Sequence, residues 1–145
     1  MKNRITLVKE FAEMPDITCF PGQLNQVFMN IINNAIQAIP EEQKDAQLTV
    51  ITENDNDLNQ VKIRIIDNGI GMSEDVKKRI FEPFFTTKPV GVGTGLGMSI
   101  TFGIIEKHQG KISLNSQLGE GTEFIIQLPK SINQQIEPVT YARAV

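Results

Sequence analysis

Over residues 23–39 the apolar positions Leu24, Val27, Phe28, Ile31, Ile32, Ala35, Ile36 and Ile39 recur at i, i+3, i+4 and i+7, which predicts an amphipathic helix. Pro40 stops it, because proline removes an amide donor and crowds the preceding turn. Apolar and polar residues alternate, or run in short β-rich stretches, over 4–8, 17–20, 48–52, 61–67, 111–116 and 122–128, which predicts six strands. Pro21-Gly22 closes the second of these, a polar turn around residues 54–59 joins the third to the fourth, and Gly119 and Gly121 turn the fifth into the sixth. Ser73 is a good N-cap for a short helix through Ile80, with Glu74 and Asp75 in its first turn. A further helix runs over 96–108, with Gly110 placed for a left-handed cap. Between these helices, residues 81–95 have no period and hold two prolines and three glycines. A loop of that length inside a compact domain is usually functional. Past Pro129 the pattern ends and a loose tail is expected.

The resulting order, β-β-α-β-β-α-loop-α-β-β, predicts an α+β two-layer sandwich: a mostly antiparallel sheet with helices on one face. The 145 residues fit one domain, without internal repeats or low-complexity segments. A 40% apolar share with 21% charged residues is that of a globular protein, not a disordered chain. With a net charge of −3 and no Lys/Arg-rich run, charge gives no support for a nucleic-acid or anionic-membrane partner. The apolar stretches are shorter than the roughly 20 residues a membrane span needs, and the first residues lack the apolar centre of a signal peptide. The single cysteine, Cys19, has no internal disulfide partner and reads as a packing residue in a reducing, cytoplasmic compartment.

Four segments carry candidate chemistry. The polar side of the first helix collects Gln26, Asn30, Asn33, Asn34 and Gln37, and no charged residue occurs between Pro21 and Pro40. A solvated face would use Lys and Glu, better helix formers than Asn. Asn30 and Asn34 lie one turn apart, and amide oxygens are hard ligands suited to Mg²⁺ when phosphates bring the charge; a buried amide face packed on another element is the alternative. Asp67-Asn68-Gly69-Ile70-Gly71-Met72 follows a strand, so Asp67 could accept from an exocyclic amine such as that of adenine, with glycines permitting close approach to a flat ring. An ordinary tight turn is the alternative. Phe81, Phe84 and Phe85 with Pro83 precede Thr86, Thr87 and Lys88, which reads as a flap with an aromatic hinge and a basic tip, or as a hydrophobic plug for a passive loop. Finally, Gly91, Gly93, Gly95 and Gly97 alternate into a helix start, where unpaired amides and the helix dipole favour phosphate. The segment has neither the ending of a P-loop nor the spacing of a dinucleotide fingerprint, and a plain hinge is the alternative.

In order and spacing, these segments resemble the catalytic ATP-binding domain of two-component sensor histidine kinases, in the superfamily of DNA gyrase, the large heat-shock chaperone and the mismatch-repair ATPases (the Bergerat fold). QVFMNIINNAIQAI resembles the N box, DNGIGM the first glycine box, FEPFFTTK the F box, GTGLGMSI the second glycine box and GEGTEF the terminal hairpin motif. The resemblance implies a mixed five-stranded, mostly antiparallel sheet with three helices on one face, a catalytic domain over 1–131 and a C-terminal tail over 132–145. It implies Asn34 as the Mg²⁺ ligand, Asn30 in the phosphate region, Asp67 on the adenine amine with Thr122 assisting through water, and Gly69, Gly71 and Met72 around the base. Phe85 and Lys88 in the flap, with Gly93, Thr94, Gly95, Leu96 and Gly97, complete the implied nucleotide contacts; Asn30 and Lys88 are the catalytic candidates.

Two departures bear on the chemistry. Many members carry a basic residue where Gln37 stands, which shifts phosphate neutralisation toward Lys88 and Mg²⁺. The hydrolysing relatives carry glutamate where Asn30 stands, and a neutral amide cannot act as general base for water. The resemblance therefore implies phosphoryl transfer to a histidine on a separate dimerisation domain of the full-length kinase, with a response regulator downstream. His108, the single histidine, reads as structural, and the chain reads as an excised catalytic domain whose full-length form can be membrane-anchored. A stand-alone serine kinase of the anti-sigma type and a nucleotide-sensing module without transfer are the alternatives.

Overall fold

The computed structural model describes residues 5–86, 95–131 and 140–143. Its elements are β1 (Thr6–Phe11), β2 (Asp16–Cys19), α1 (Pro21–Ala38), β3 (Gln47–Asp55), β4 (Gln60–Asp67), α2 (Glu74–Arg79), α3 (Gly97–Lys107), β5 (Lys111–Gln117), β6 (Gly121–Pro129) and β7 (Thr140–Arg143). Five strands form one sheet in the order β1-β3-β4-β6-β5, antiparallel except for the parallel pair β1–β3. The expected α+β sandwich with a mixed five-stranded sheet is the fold observed.

Alternation decides which face is covered. Along β4, Val61, Ile63, Ile65 and Asp67 are buried while the residues between them are half-exposed, and β6 repeats this with Thr122, Phe124, Ile126 and Leu128. The antiparallel register sets Ile63 opposite Ile126 and Ile65 opposite Phe124, so the buried positions form one apolar floor. Leu24, Val27, Ile31 and Ala35 of α1 and Met98, Thr101 and Ile105 of α3 close over it. The opposite face carries an ion-pair ladder, Glu53–Arg64–Glu123, that runs across three adjacent strands. No helix among the described residues is long and apolar enough to cross a membrane.

Several boundaries differ from the sequence pattern, each for a local reason. α1 begins at Pro21, whose missing amide hydrogen costs nothing in a first turn, so the residues expected to close β2 also open the helix. β1 lies at 6–11 instead of 4–8; as an edge strand paired on one side, it tolerates Lys9 and Glu10. β3 and β4 extend into polar sequence as far as the pair Asp55–Gln60, because ladder hydrogen bonds do not depend on side-chain polarity. β2 stays outside the five-stranded sheet and pairs with β7. That strand arises in the stretch expected to be loose, from four residues too short to register as a strand without the partner edge that β2 provides.

The end of α3 corrects one expectation. The left-handed residue is Gln109 (φ 60°), not Gly110. Gln109 N–H donates to Glu106 O and Gly110 N–H to Ile105 O, the paired bonds of a Schellman motif. Gly110 is required for a different reason: a Cβ there would overlap the backbone carbonyl of Gln127 on β6. Ser73 caps α2 as expected, its Oγ accepting from Val76 N–H at 3.2 Å.

Phe124 is the largest fully buried side chain and sits at the centre of the floor. Phe124→Ala is expected to cost about 3–5 kcal/mol of unfolding free energy, through lost burial plus a cavity. Urea denaturation checks this, and a loss under about 1 kcal/mol would mean that the core closes over the gap.

Candidate functional site

The turn from β4 into α2 is stitched to two other parts of the fold. Ile70 N–H donates to Ala38 O at the end of α1 (2.9 Å), and Gly119 N–H, in the β5–β6 turn, donates to Ile70 O (2.7 Å). Gly71 has φ +73°, and a Cβ there would overlap Gln117 O; a Cβ at Gly69 would overlap Ala38 O. Both glycines are thus demanded by neighbouring backbone. The approach of a ligand ring is not needed to require them, because the protein's own backbone already does.

Around this junction lies a cleft of about 260 Å³. Asn34, Gln37 and Ala38 of α1 line one side, Val76 and Ile80 of the α2 segment another, and Met72 and Thr122 lie between them. Ile70 and Leu118, 55% and 67% exposed, stand at its rim. Asp67, 4% exposed, lies opposite Thr122 in the β4–β6 register. Its Oδ1 accepts from Gly69 N–H at 2.8 Å. Burial pushes this carboxyl above the usual aspartate range, and the backbone hydrogen bonds from Gly69 and Thr122 offset that only in part. The result is a buried acceptor with too few donors to stabilise its charge fully.

Ser116 fixes the hydroxyl at the cleft wall. Its Oγ donates to Gly121 O at 2.9 Å and accepts from Met72 N–H at 2.8 Å. A serine hydroxyl has one hydrogen, so in the 2.8 Å contact with Thr122 Oγ1 the threonine is the donor. Thr122 therefore presents lone pairs elsewhere. The sequence reading did not single out Ser116; a serine at an inward position of an alternating strand was the available signal. It also passed over Val76 and Ile80, whose i, i+4 spacing on a short helix marks an apolar face.

The other expected residues separate into two groups. Asn30 faces the start of α3: its Nδ2 donates to Gly97 O (3.0 Å) and Thr101 Oγ1 (3.2 Å), and its Oδ1 accepts from Gln26 Nε2 (3.0 Å). Leu96 occupies the cap position of α3 with no side-chain acceptor to offer, and the first turn has no acidic residue, so this helix start keeps its positive character. Gly95, at φ +77°, packs against the Phe84 backbone, and Phe84 N–H donates to Gly95 O at 2.7 Å. The two ends of the loop are thereby drawn together. Phe85 does not line the cleft; the Arg79 guanidinium lies 4.5 Å from its ring centre. Lys88, Gly93 and Thr94, together with Gly91, fall outside the described residues. Asn33 and Gln37 are exposed, so a fully buried amide face is not what α1 presents.

Asp67 is thus buried behind Thr122 at the cleft wall, and the first turn of α3 carries no acidic residue. Residues 20–132 match the model of the family described as "Histidine kinase-, DNA gyrase B-, and HSP90-like ATPase". The chain belongs to that family.

This ATPase domain is 46% identical over 123 residues to sporulation kinase E of Bacillus subtilis, covering 85% of the chain and 16% of that protein. It is 38% identical over 122 residues to the sensor histidine kinase ZraS of Escherichia coli, covering 84% of the chain and 25% of that protein. Among solved structures, the catalytic domain of histidine kinase ThkA superposes with a TM-score of 0.74 at 32% identity, covering 88% of this chain and 80% of that one. The chain thus spans between a sixth and a quarter of the length of these curated relatives, and four fifths of a structure that is a catalytic domain alone.

Gly71→Ala is expected to destabilise this ATPase domain more than Gly119→Ala. Both residues have positive φ, which costs about 1–2 kcal/mol for an L-residue, but only Gly71 would also overlap backbone. Equal losses in chemical denaturation would mean that the contact with Gln117 gives way at no cost.

Proposed function

We propose that this chain is the catalytic domain of a two-component sensor kinase: it binds Mg·ATP and donates the γ-phosphate to a histidine on a separate dimerisation domain. In that reaction a neutral imidazole nitrogen forms a bond to the γ-phosphorus, the bond to the bridging oxygen breaks, and ADP leaves. The observation that carries the reading is Asp67, a nearly buried carboxylate opposite Thr122, which lines the cleft. An amine donating to it, such as that of adenine, would stabilise a charge that the protein alone leaves under-compensated. The 46% identity to a sporulation kinase and the superposition on a histidine kinase catalytic domain support the transfer chemistry.

Within this reading, Met72, Val76 and Ile80 hold the flat faces of the base, while Thr122 accepts from a bridging water. Phosphates lie toward the start of α3, where the amides of Gly95, Leu96 and Gly97 and the helix dipole favour negative charge, with Gly93, Thr94 and Lys88 of the loop assisting. The side chains fit a hard divalent cation held partly by phosphate oxygens: Asn34 lines the cleft and would supply an amide oxygen. When bound, Mg²⁺ would neutralise charge that builds on the phosphates. Asn30, tied to Gly97 O and Thr101, orients the helix start against α1 and has no basic group to activate water, which favours transfer over hydrolysis. Catalysis rests on orientation and charge neutralisation. The response regulator downstream is the partner this chemistry implies.

Asp67→Asn is expected to weaken ATP binding by about 1.5–3 kcal/mol, because an amide nitrogen would replace a buried acceptor. Unchanged affinity by titration calorimetry removes the adenine assignment. Asn34→Ala is expected to lower affinity in the presence of Mg²⁺ and to leave Mg²⁺-free binding nearly intact. Equal losses under both conditions count against a metal ligand at this position.

A further inference from the structure

His108 is 2% exposed, and both of its ring nitrogens are engaged. Nδ1 donates to Ile104 O at 2.9 Å, since a carbonyl can only accept. Nε2 accepts from Phe20 N–H at 3.0 Å, a bond across 88 positions of sequence. The two partners therefore require the neutral ring with its hydrogen on Nδ1. The Phe20 ring meets the imidazole edge-on at 5.6 Å, and Lys107 Nζ lies 4.7 Å from the centre of that phenyl ring.

Phe20 is the N-cap of α1, and His108 the C-cap of α3. The two helices pack side by side and run in opposite directions, joined at the other end by Asn30 with Gly97 and Thr101. Besides core packing, side-chain hydrogen bonds join them at these two places. Asn34 lies about 21 Å along α1 from Phe20, and Gly97 about 16 Å along α3 from His108, at 1.5 Å per residue. Breaking the Phe20 bond loosens the start of α1 against the end of α3, so the angle at which α1 presents its cleft-lining residues to the start of α3 is less tightly set. We propose that His108 is a positioning residue for the nucleotide site: by accepting from Phe20 N–H it sets how α1 and α3 face each other across the bound phosphates. The inference rests on the nucleotide reading above.

A positioning role of this kind carries a pH signature. Burial and the neighbouring Lys107 charge hold the imidazole below the ordinary histidine range, against the favourable contact with Ile104 O. Among the described residues, the other charged and titratable groups on the surrounding elements are Glu106 on α3, Asp16 and Cys19 on β2 and Lys130 beyond β6; α1 has none. Protonating Nε2 turns the acceptor into a donor facing another donor, and the link to Phe20 breaks. Because folding lowers this pKa, the link is intact above the ordinary histidine range and is lost as pH falls through the folded value.

The test compares the chain with His108→Gln, which keeps an acceptor of similar reach without titrating, and His108→Leu, which removes it. Amide exchange at Phe20 is followed without nucleotide, and ADP affinity by calorimetry. Phe20 is expected to be protected in the chain and in His108→Gln, and exposed in His108→Leu. ADP should bind His108→Leu about three- to tenfold more weakly, the scale of coupling through packed networks, with His108→Gln restoring most of the loss. From about pH 7.5 to about pH 4.5, from above to well below the ordinary histidine range, the chain should lose more affinity than His108→Gln, a comparison that cancels the titration of ADP itself. Full ADP affinity in a folded His108→Leu that has lost Phe20 protection overturns the proposal. If His108→Leu does not fold, parallel pH curves for the chain and His108→Gln overturn it instead. Absence of ADP binding by the unaltered chain would sink the nucleotide reading beneath it, while the Phe20 exchange would still report whether the link exists.

Discussion

Three backbone segments that are far apart in sequence meet at the turn after β4, and their carbonyls and amides leave no room for side chains between them. Ala38 O at the end of α1, Ile70 at the turn and Gly119 between β5 and β6 form a chain of two hydrogen bonds. Gly69 and Gly71 are the residues that let those bonds form. The cleft exists because this junction holds the C-terminal half of α1 at a set distance from β6 and from α2. Met72 and Thr122 are then positioned through the Ser116 hydroxyl, which serves one acceptor and two donors at once. A shift in any of the three segments would move the cleft walls and the cover over Asp67 together.

That junction also explains how a carboxylate comes to be buried on the apolar face of the sheet. Asp67 ends the same alternating series as Val61, Ile63 and Ile65, so strand geometry points it inward whatever its charge. The energetic consequence is a carboxyl whose pKa folding raises. Its sign follows directly: this group favours the fold when protonated, and the benefit is lost as pH rises through the folded value. Burial penalises the charged form, and a hydrogen bond donated to it offsets that cost. Buried polar groups left partly unmet are common at functional sites for this reason, and stability is usually the quantity given up.

The helices supply the second half of the site, and here the structure divides labour that the sequence presented as one face. Asn30 and Asn34 are one turn apart, yet Asn30 ties α1 to α3 while Asn34 lines the cleft. A difference of one turn along α1 separates a residue that ties two helices together from one that lines the cleft. Phe84 and Gly95 are hydrogen-bonded to each other next to the start of α3.

Periodicity alone determined the two long helices, six of the strands and the α+β class, because helix and strand faces repeat at fixed intervals. The order of the five motifs carried the family, which follows from chemistry that needs an amide-bearing helix, an acidic strand end and glycine-rich turns in succession. Only the tertiary structure decided that β2 leaves the main sheet to pair with β7, that Gln109 and not Gly110 takes the left-handed cap, that Phe85 sits under Arg79 outside the cleft, and that His108 bridges α3 to the start of α1. The β2–β7 pairing and the His108 bridge depend on partners 88 to 127 residues away, the cap on which of two adjacent residues fits a crowded spot, and Phe85 on a partner only six residues off. A one-dimensional pattern records what each residue prefers; close packing selects among preferences that are nearly equal in free energy.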